Sequence, residues 1–209
     1  MNTTRTALLI AALMTGGLAH GQEEISPEAQ KAASDLAATT CSVCHGTAGR
    51  NTSPIFPNLA AQTAPYLEAQ LKAFRDQTRA DPDAQAYMWG MASQLKDEGI
   101  AAIAAHYAAQ SPAPGHMGDA KLAQRGHNIF EQGIPGKSIP ACATCHGAKA
   151  QGNGPFPRLA GQHAGYLLKQ MLVIQSALRA APVMHGVIKE LSREQMLEVA
   201  AYLESLGPN

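Results

Sequence analysis

Cys41-Ser-Val-Cys44-His45-Gly46 occurs a second time in this chain as Cys142-Ala-Thr-Cys145-His146-Gly147, and the two copies use all four cysteines. None remains for a disulfide. Two thiols separated by two residues lie on one side of a tight turn, within reach of both vinyl groups of a haem. The residue that follows then places an imidazole under the iron. Each copy predicts one covalently attached haem c, with Cys41, Cys44, Cys142 and Cys145 as the anchors and His45 and His146 as axial ligands. Three rival readings are a chance match over five residues, a zinc site built from both CxxC pairs, and a thioredoxin-like redox pair. Zinc requires two pairs about a hundred residues apart to meet, and thioredoxin requires a strand-rich βαβ context that this sequence lacks.

Length and composition agree with that reading. The 209 residues suffice for two small domains, and 45% hydrophobic with 5% aromatic content suits alanine-rich helical packing. Formal charge is zero, so no broad basic surface recommends nucleic acid as a partner. Near the N-terminus Arg5 precedes an apolar run, Ala7 to Met14, and small-residue stretches up to Gly21 end it before Gln22-Glu-Glu24. This is the pattern of a secretory signal peptide over 1–21, cleaved near residues 19–21, and the run is short for a membrane span. Export agrees with the cysteine usage, because haem is attached to CxxCH outside the bacterial cytoplasm. Both features predict a periplasmic address.

A repeat organises the remainder. Ser26-Pro27-Glu28 reads as an N-cap, a first-position proline and an acidic first turn, leading a helix through Leu36 to about Thr39. A Gly/Asn/Ser/Pro-rich loop, Gly46 to Pro57, follows the first motif. Tyr66, Leu67, Gln70, Leu71 and Phe74 then recur at helical spacing, with Asp81-Pro-Asp83 read as the break. Tyr87-Met88-Trp89-Gly90-Met91 reads as a loop, and Ile100 to Ala109 as a closing helix. Ser111 to Gly118 is a linker by composition, after which the order runs again, beginning with a helix capped by Asp119. Phe56-Pro57-Asn-Leu59-Ala60, Gln62, Tyr66, Leu67 and Gln70 match Phe156-Pro157-Arg-Leu159-Ala160, Gln162, Tyr166, Leu167 and Gln170 at an offset of 100. Met88-Trp-Gly90 and Leu95 match Met184-His-Gly186 and Leu191 at 96. The expected architecture is all-α, with domains at 22–113 and 114–209.

A second protein ligand would close each iron against external molecules. Met88 and Met184 hold equivalent positions ahead of the final helix of each half, and a thioether favours ferrous iron and so raises the reduction potential. Met91 in place of Met88, and His185 in place of Met184, stay open as alternatives. Their repeat partners are Val187 and Trp89. Met171 and Met196 share helical faces with leucine, isoleucine and valine and read as packing residues. His106, His116, His127 and His163 read as surface or interface residues.

The two CxxCHG motifs, the paired F-P-x-L-A segments, Met88-Trp-Gly-Met, Met184-His-Gly and the closing Ala-Ala helices together resemble the dihaem cytochrome c4 family over the whole mature chain. The resemblance implies two class I cytochrome c domains related by a pseudo-twofold axis, with haem edges facing across the interface. It further implies that the carbonyls of Pro57 and Pro157 hold the Nδ1 protons of His45 and His146. Two positions depart from the pattern: Ala61 stands where Gly161 keeps the commoner LAGQ, and Ala32 and Leu36 stand where the second half has Gly126 and Phe130.

The family implies a periplasmic electron carrier between respiratory donors and a terminal oxidase or reductase, not an enzyme, with redox proteins as partners. Peripheral membrane association is left open. The alternative is a cytochrome subunit of a periplasmic dehydrogenase, for example one that oxidises sulfide or thiosulfate; a catalytic or gas-sensing haem would require one methionine not to bind. Residues 22–113 carry 6 basic and 10 acidic side chains, net −4, and residues 114–209 carry 9 and 6, net +3. The difference reads either as solvated helix faces or as a dipole whose opposite ends steer different partners through association rate.

Overall fold

The computed structural model describes residues 24–208, and the signal peptide read in residues 1–21 lies outside them. Among the described residues the regular structure is helical, with only two isolated bridges, Ile134 to Ile139 and Asn153 to Phe156.

Ser26 starts helix α1 (Pro27–Leu36) by accepting from the Ala29 amide at 3.2 Å, with Pro27 at the first position as expected. The chain then continues through a π-helical turn, Ala37–Cys41, directly into α2 (Ser42–His45). Helix α3 (Ala64–Arg75) ends ahead of the expected Asp81-Pro82 break, because Gln77 turns left-handed at φ 56°. The stretch around Met88, expected as a loop, is helical: a π turn, Ala84–Met88, leads into α4 (Trp89–Ala92). Helix α5 (Asp97–Ala108) closes the half and buries Ile100, Ile103 and Tyr107.

The second half repeats the order with α6 (Ala120–Gln132), α7 (Ala143–His146), α8 (Ala164–Gln175), α9 (Pro182–Ile188) and α10 (Arg193–Ser205). Asp119 caps α6 by accepting from the Lys121 and Leu122 amides. Ser192 and Gln195 form a reciprocal capping box on α10, which satisfies two amides that the helix cannot. Met184, also expected in a loop, lies within α9, with Pro182 at its first position.

In each half the first helix crosses the last: α1 packs on α5, and α6 on α10. Gly126 permits the second crossing, since a Cβ there would stand 1.9 Å from the Glu198 carbonyl oxygen. In the first half the buried pair is Ala33 and Ala37, one residue on from the expected Ala32 and Leu36. Ala32 faces solvent. Met171 and Met196 lie in the second core, as read.

The halves are joined by a reciprocal exchange. Gln62 accepts from the Arg158 amide at 2.6 Å and donates to the Arg158 carbonyl at 2.9 Å. Gln162 does the same with Asn58, both at 2.9 Å. The same residue on each side bonds the same backbone position on the other, which is the signature of a twofold interface within one chain. All four bonds are buried, so each satisfies backbone groups that would otherwise be orphaned. The linker is also fixed, with the His116 amide donating to the Glu204 carbonyl at 2.8 Å.

Candidate functional site

Both CxxCH turns open on one cavity of about 740 Å³ that runs between the halves. Its wall is chiefly apolar. The turns α2 and α7 each end at a glycine of positive φ, Gly46 at 75° and Gly147 at 83°. At Gly46 a Cβ would stand 2.0 Å from the Arg50 carbonyl oxygen, so the motif's glycine permits both the turn and the close return of the chain.

His45 and His146 are buried and line the cavity. Nδ1 of His45 bonds the Pro57 carbonyl at 2.9 Å, and Nδ1 of His146 bonds the Pro157 carbonyl at the same distance. A carbonyl can only accept, so Nδ1 carries the proton and Nε2 is left with its lone pair. Burial pushes both imidazoles below their ordinary pKa and keeps them neutral, as a ligand must be. Phe56 and Phe156 meet the two rings edge-on, with centroids 6.2 and 6.3 Å apart, so the symmetry extends to the packing that holds each imidazole.

None of the four cysteines is used in a disulfide. Burial raises the Cys41 thiol and pushes Cys142 up to about 11. Among the described residues no group of three or more His, Cys, Asp or Glu is placed to hold a metal ion, so the two CxxC pairs do not meet in one cluster. All four cysteines line the apolar cavity.

Met88 and Met184 both line the cavity, partly buried. Met91 also reaches the rim but is 61% exposed. His185 is turned aside: its Nδ1 donates to the Ile174 carbonyl at 2.9 Å. Trp89, its repeat partner, donates from Nε1 to the Arg79 carbonyl at 2.9 Å.

Three arginines that the motifs did not single out join the wall: Arg79, Arg158 and Arg179, all buried. Arg79 donates to Gln70 and Gln170, and Arg179 donates to the same two glutamines and to Tyr66, at 2.6 to 2.9 Å. The recurrence of Arg79 and Arg179 at an offset of 100, with Gln70 and Gln170 at the same offset, was the sequence signal for this network.

Two CxxCH helical turns, each presenting a buried histidine to an apolar cavity, define a tandem c-type cytochrome. The family model for cytochrome c matches residues 30–108 and again 123–207. Cytochrome c-552 of Acidithiobacillus ferridurans is 42% identical over 209 residues, covering 99% of this chain and 90% of the relative. The solved cytochrome c4 of Acidithiobacillus ferrooxidans superposes with a TM-score of 0.75 at 44% identity, covering 79% of this chain and 98% of that one. A thiosulfate dehydrogenase electron acceptor of Thiomonas intermedia is 34% identical, over 82% of this chain and 81% of its own length. The chain belongs to the cytochrome c family and, within it, to the dihaem cytochromes c4. It is a dihaem electron-transfer cytochrome that carries two covalently bound haem c groups.

Proposed function

We propose that Cys41 and Cys44 anchor one haem and Cys142 and Cys145 the other, with His45 and Met88 as axial ligands in the first half and His146 and Met184 in the second. The observation that carries this is the pair of Nδ1 bonds to Pro57 and Pro157, which leaves each Nε2 free in a cavity that also receives a methionine from the same half. The proline carbonyls orient the imidazoles and raise their donor strength. Among the alternatives, His185 is committed to Ile174 and Met91 to the solvent rim, which favours Met184 and Met88.

When bound, each haem supplies a one-electron couple. The chain's part is to hold the axial donors, exclude water and set the potential. With both axial positions filled from the protein the sites are closed, which suits transfer between protein partners rather than chemistry on a substrate. Domains at 22–113 and 114–209 follow the repeat, and the continuous cavity supports exchange between the two haems. The address is periplasmic, and the partners are a respiratory donor and a terminal oxidase or reductase. A second reading, service as the electron-accepting subunit of a dehydrogenase, is favoured by the Thiomonas relative.

The test is an optical spectrum of the holoprotein, oxidised and then reduced under carbon monoxide, with haem counted per chain. Two haems, a full methionine-to-iron band and no carbon monoxide shift are expected. Carbon monoxide binding at half the haems would overturn one methionine assignment. Co-purification with a catalytic subunit selects the second reading.

A further inference from the structure

The cavity wall holds three buried guanidiniums, Arg79, Arg158 and Arg179, while the carboxylate in that wall, Asp83, is only partly buried and is paired with Lys169. Asp81, 0% exposed, pairs with Arg79 through Nε at 2.9 Å. At the equivalent place the second half has Ala181, and among the described residues the Arg179 guanidinium donates to the neutral acceptors Gln70, Gln170 and Tyr66. Arg158 is more exposed to the same deficit in charge. It is 6% exposed to solvent, and among the described residues its Nη2 is buried without a hydrogen-bond partner and its guanidinium is in no ion pair. Burial alone pushes its pKa down, with no neighbouring acid to offset the loss of water. Asn58, its counterpart, is neutral and fully engaged, donating to the Gly161 carbonyl and accepting from the Asn51 amide, both at 3.0 Å.

An unpaired guanidinium taken out of water costs several kcal/mol, so buried arginines are paired. Arg158 and Arg179 both line the cavity that receives the cofactors, and haem carries propionate carboxylates at its edge. Arginine with carboxylate is the strongest of the common charge-assisted pairings. Resting on the haem assignment above, we propose that Arg158 and Arg179 form a carboxylate seat at the junction of the halves and hold haem propionates there. The first half brings its own acid to Arg79; the second half leaves that position to the cofactor.

A cation beside a haem stabilises the ferrous over the ferric state, so each arginine raises the potential of the haem it faces. The test is spectroelectrochemical titration of full-length holoprotein carrying Arg158→Gln, Arg179→Gln, the matching lysine variants, and Ala181→Asp. Each glutamine variant is expected to lower a potential, shifting the reduced-to-oxidised ratio at fixed applied potential by about tenfold, which is about 59 mV for a one-electron couple. The lysine variants should recover most of that shift. Glutamine variants with both haems attached and both potentials unmoved would overturn the proposal, as would lysine variants that shift as far as the glutamines. If a glutamine variant fails to attach haem, Ala181→Asp decides, because it keeps every arginine. A new acid beside Arg179 should lower a potential, and an unmoved pair of potentials would remove Arg179 from the seat. The methionine-to-iron band separates the two readings: its absence from the parent protein counts against the ligand assignment, whereas its retention with unmoved potentials counts against the seat alone.

Discussion

In the second half Gly126 brings α6 so near α10 that a Cβ would stand 1.9 Å from the Glu198 carbonyl oxygen, whereas in the first half the buried residues are Ala33 of α1 and Ala37 of the π turn that follows it, which keep their methyl groups. The approaches to the haem motifs differ in step with this. Helix α1 runs through a π turn straight into its motif, while α6 stops at Gln132 and a separate loop carries the chain to Cys142. The second core is one contiguous cluster, and the first is split into two. One plan has thus been executed twice with different local solutions, and the residues that differ between copies locate where each half has its own constraint.

The largest effect should come from the proposed axial methionines. Met184→Ala is expected to lower the second haem's potential by on the order of 100 mV, a fraction of the ~0.8 V range that axial ligands span, and to admit carbon monoxide. Met88→Ala should do the same for the first haem only. Redox titration of each variant, with carbon monoxide difference spectra, checks whether the two sites respond separately. A single variant that opened both haems would break the equivalence of the halves.

Next comes the helix crossing. Gly126→Ala must push α6 from α10, because the obstructing atom is backbone; a loss of about 3 kcal/mol is expected, at the upper end for overpacking. Ala33→Gly removes only a methyl from the other crossing and adds backbone freedom, at about 1 kcal/mol. Denaturant unfolding of the two holoproteins compares them, and equal losses would mean that the crossings are built alike.

Gln162→Ala tests the seam between halves. It leaves the Asn58 amide and carbonyl buried without their partner, at a cost of about 2 kcal/mol. Gln62→Ala should cost a similar amount at Arg158, read by the same unfolding experiment. A marked inequality between them would show that the twofold relation does not extend to energetics.

The repeat and the CxxCH motifs made the fold class, the helix order and the anchoring turns legible, because each rests on residue types that few other arrangements require. The alanine-rich first helix was harder. Ala32 and Ala33 are adjacent and alike, so matching this helix to Gly126 and Phe130 of the second half picked Ala32 and Leu36, one residue before the buried Ala33 and Ala37. Met88 and Met184 read as loop residues because Gly90 and Gly186 follow them, yet Pro182 starts a short helix and a π turn carries Met88. Arg158 gave no repeat signal, since its counterpart is Asn58; its importance comes from burial in a shared wall, which a single half cannot reveal.

The smallest effect concerns Ala61 and Gly161, which both adopt left-handed backbone, at φ 55° and 72°. Their amides make matching bonds, Ala61 to the Tyr107 carbonyl and Gly161 to the Leu203 carbonyl, each at 2.9 Å. The linker passes close over Gly161, where a Cβ would stand 2.8 Å from the Ala113 carbonyl oxygen, while Ala61 is half-buried and already carries its Cβ. The first half can therefore carry a methyl there, at the roughly 1 kcal/mol that left-handed backbone costs an L-residue. Ala61→Gly should relieve that strain, less the extra freedom gained by the unfolded chain, for a net stabilisation of about 0.5 kcal/mol and a rise in Tm of roughly 1–2 °C. Gly161→Ala carries both the strain and the clash, and should lower Tm by roughly 4 °C or more. Calorimetry of the two holoproteins should give shifts of opposite sign; two losses would mean that Ala61 is held in place by packing that outweighs its backbone strain.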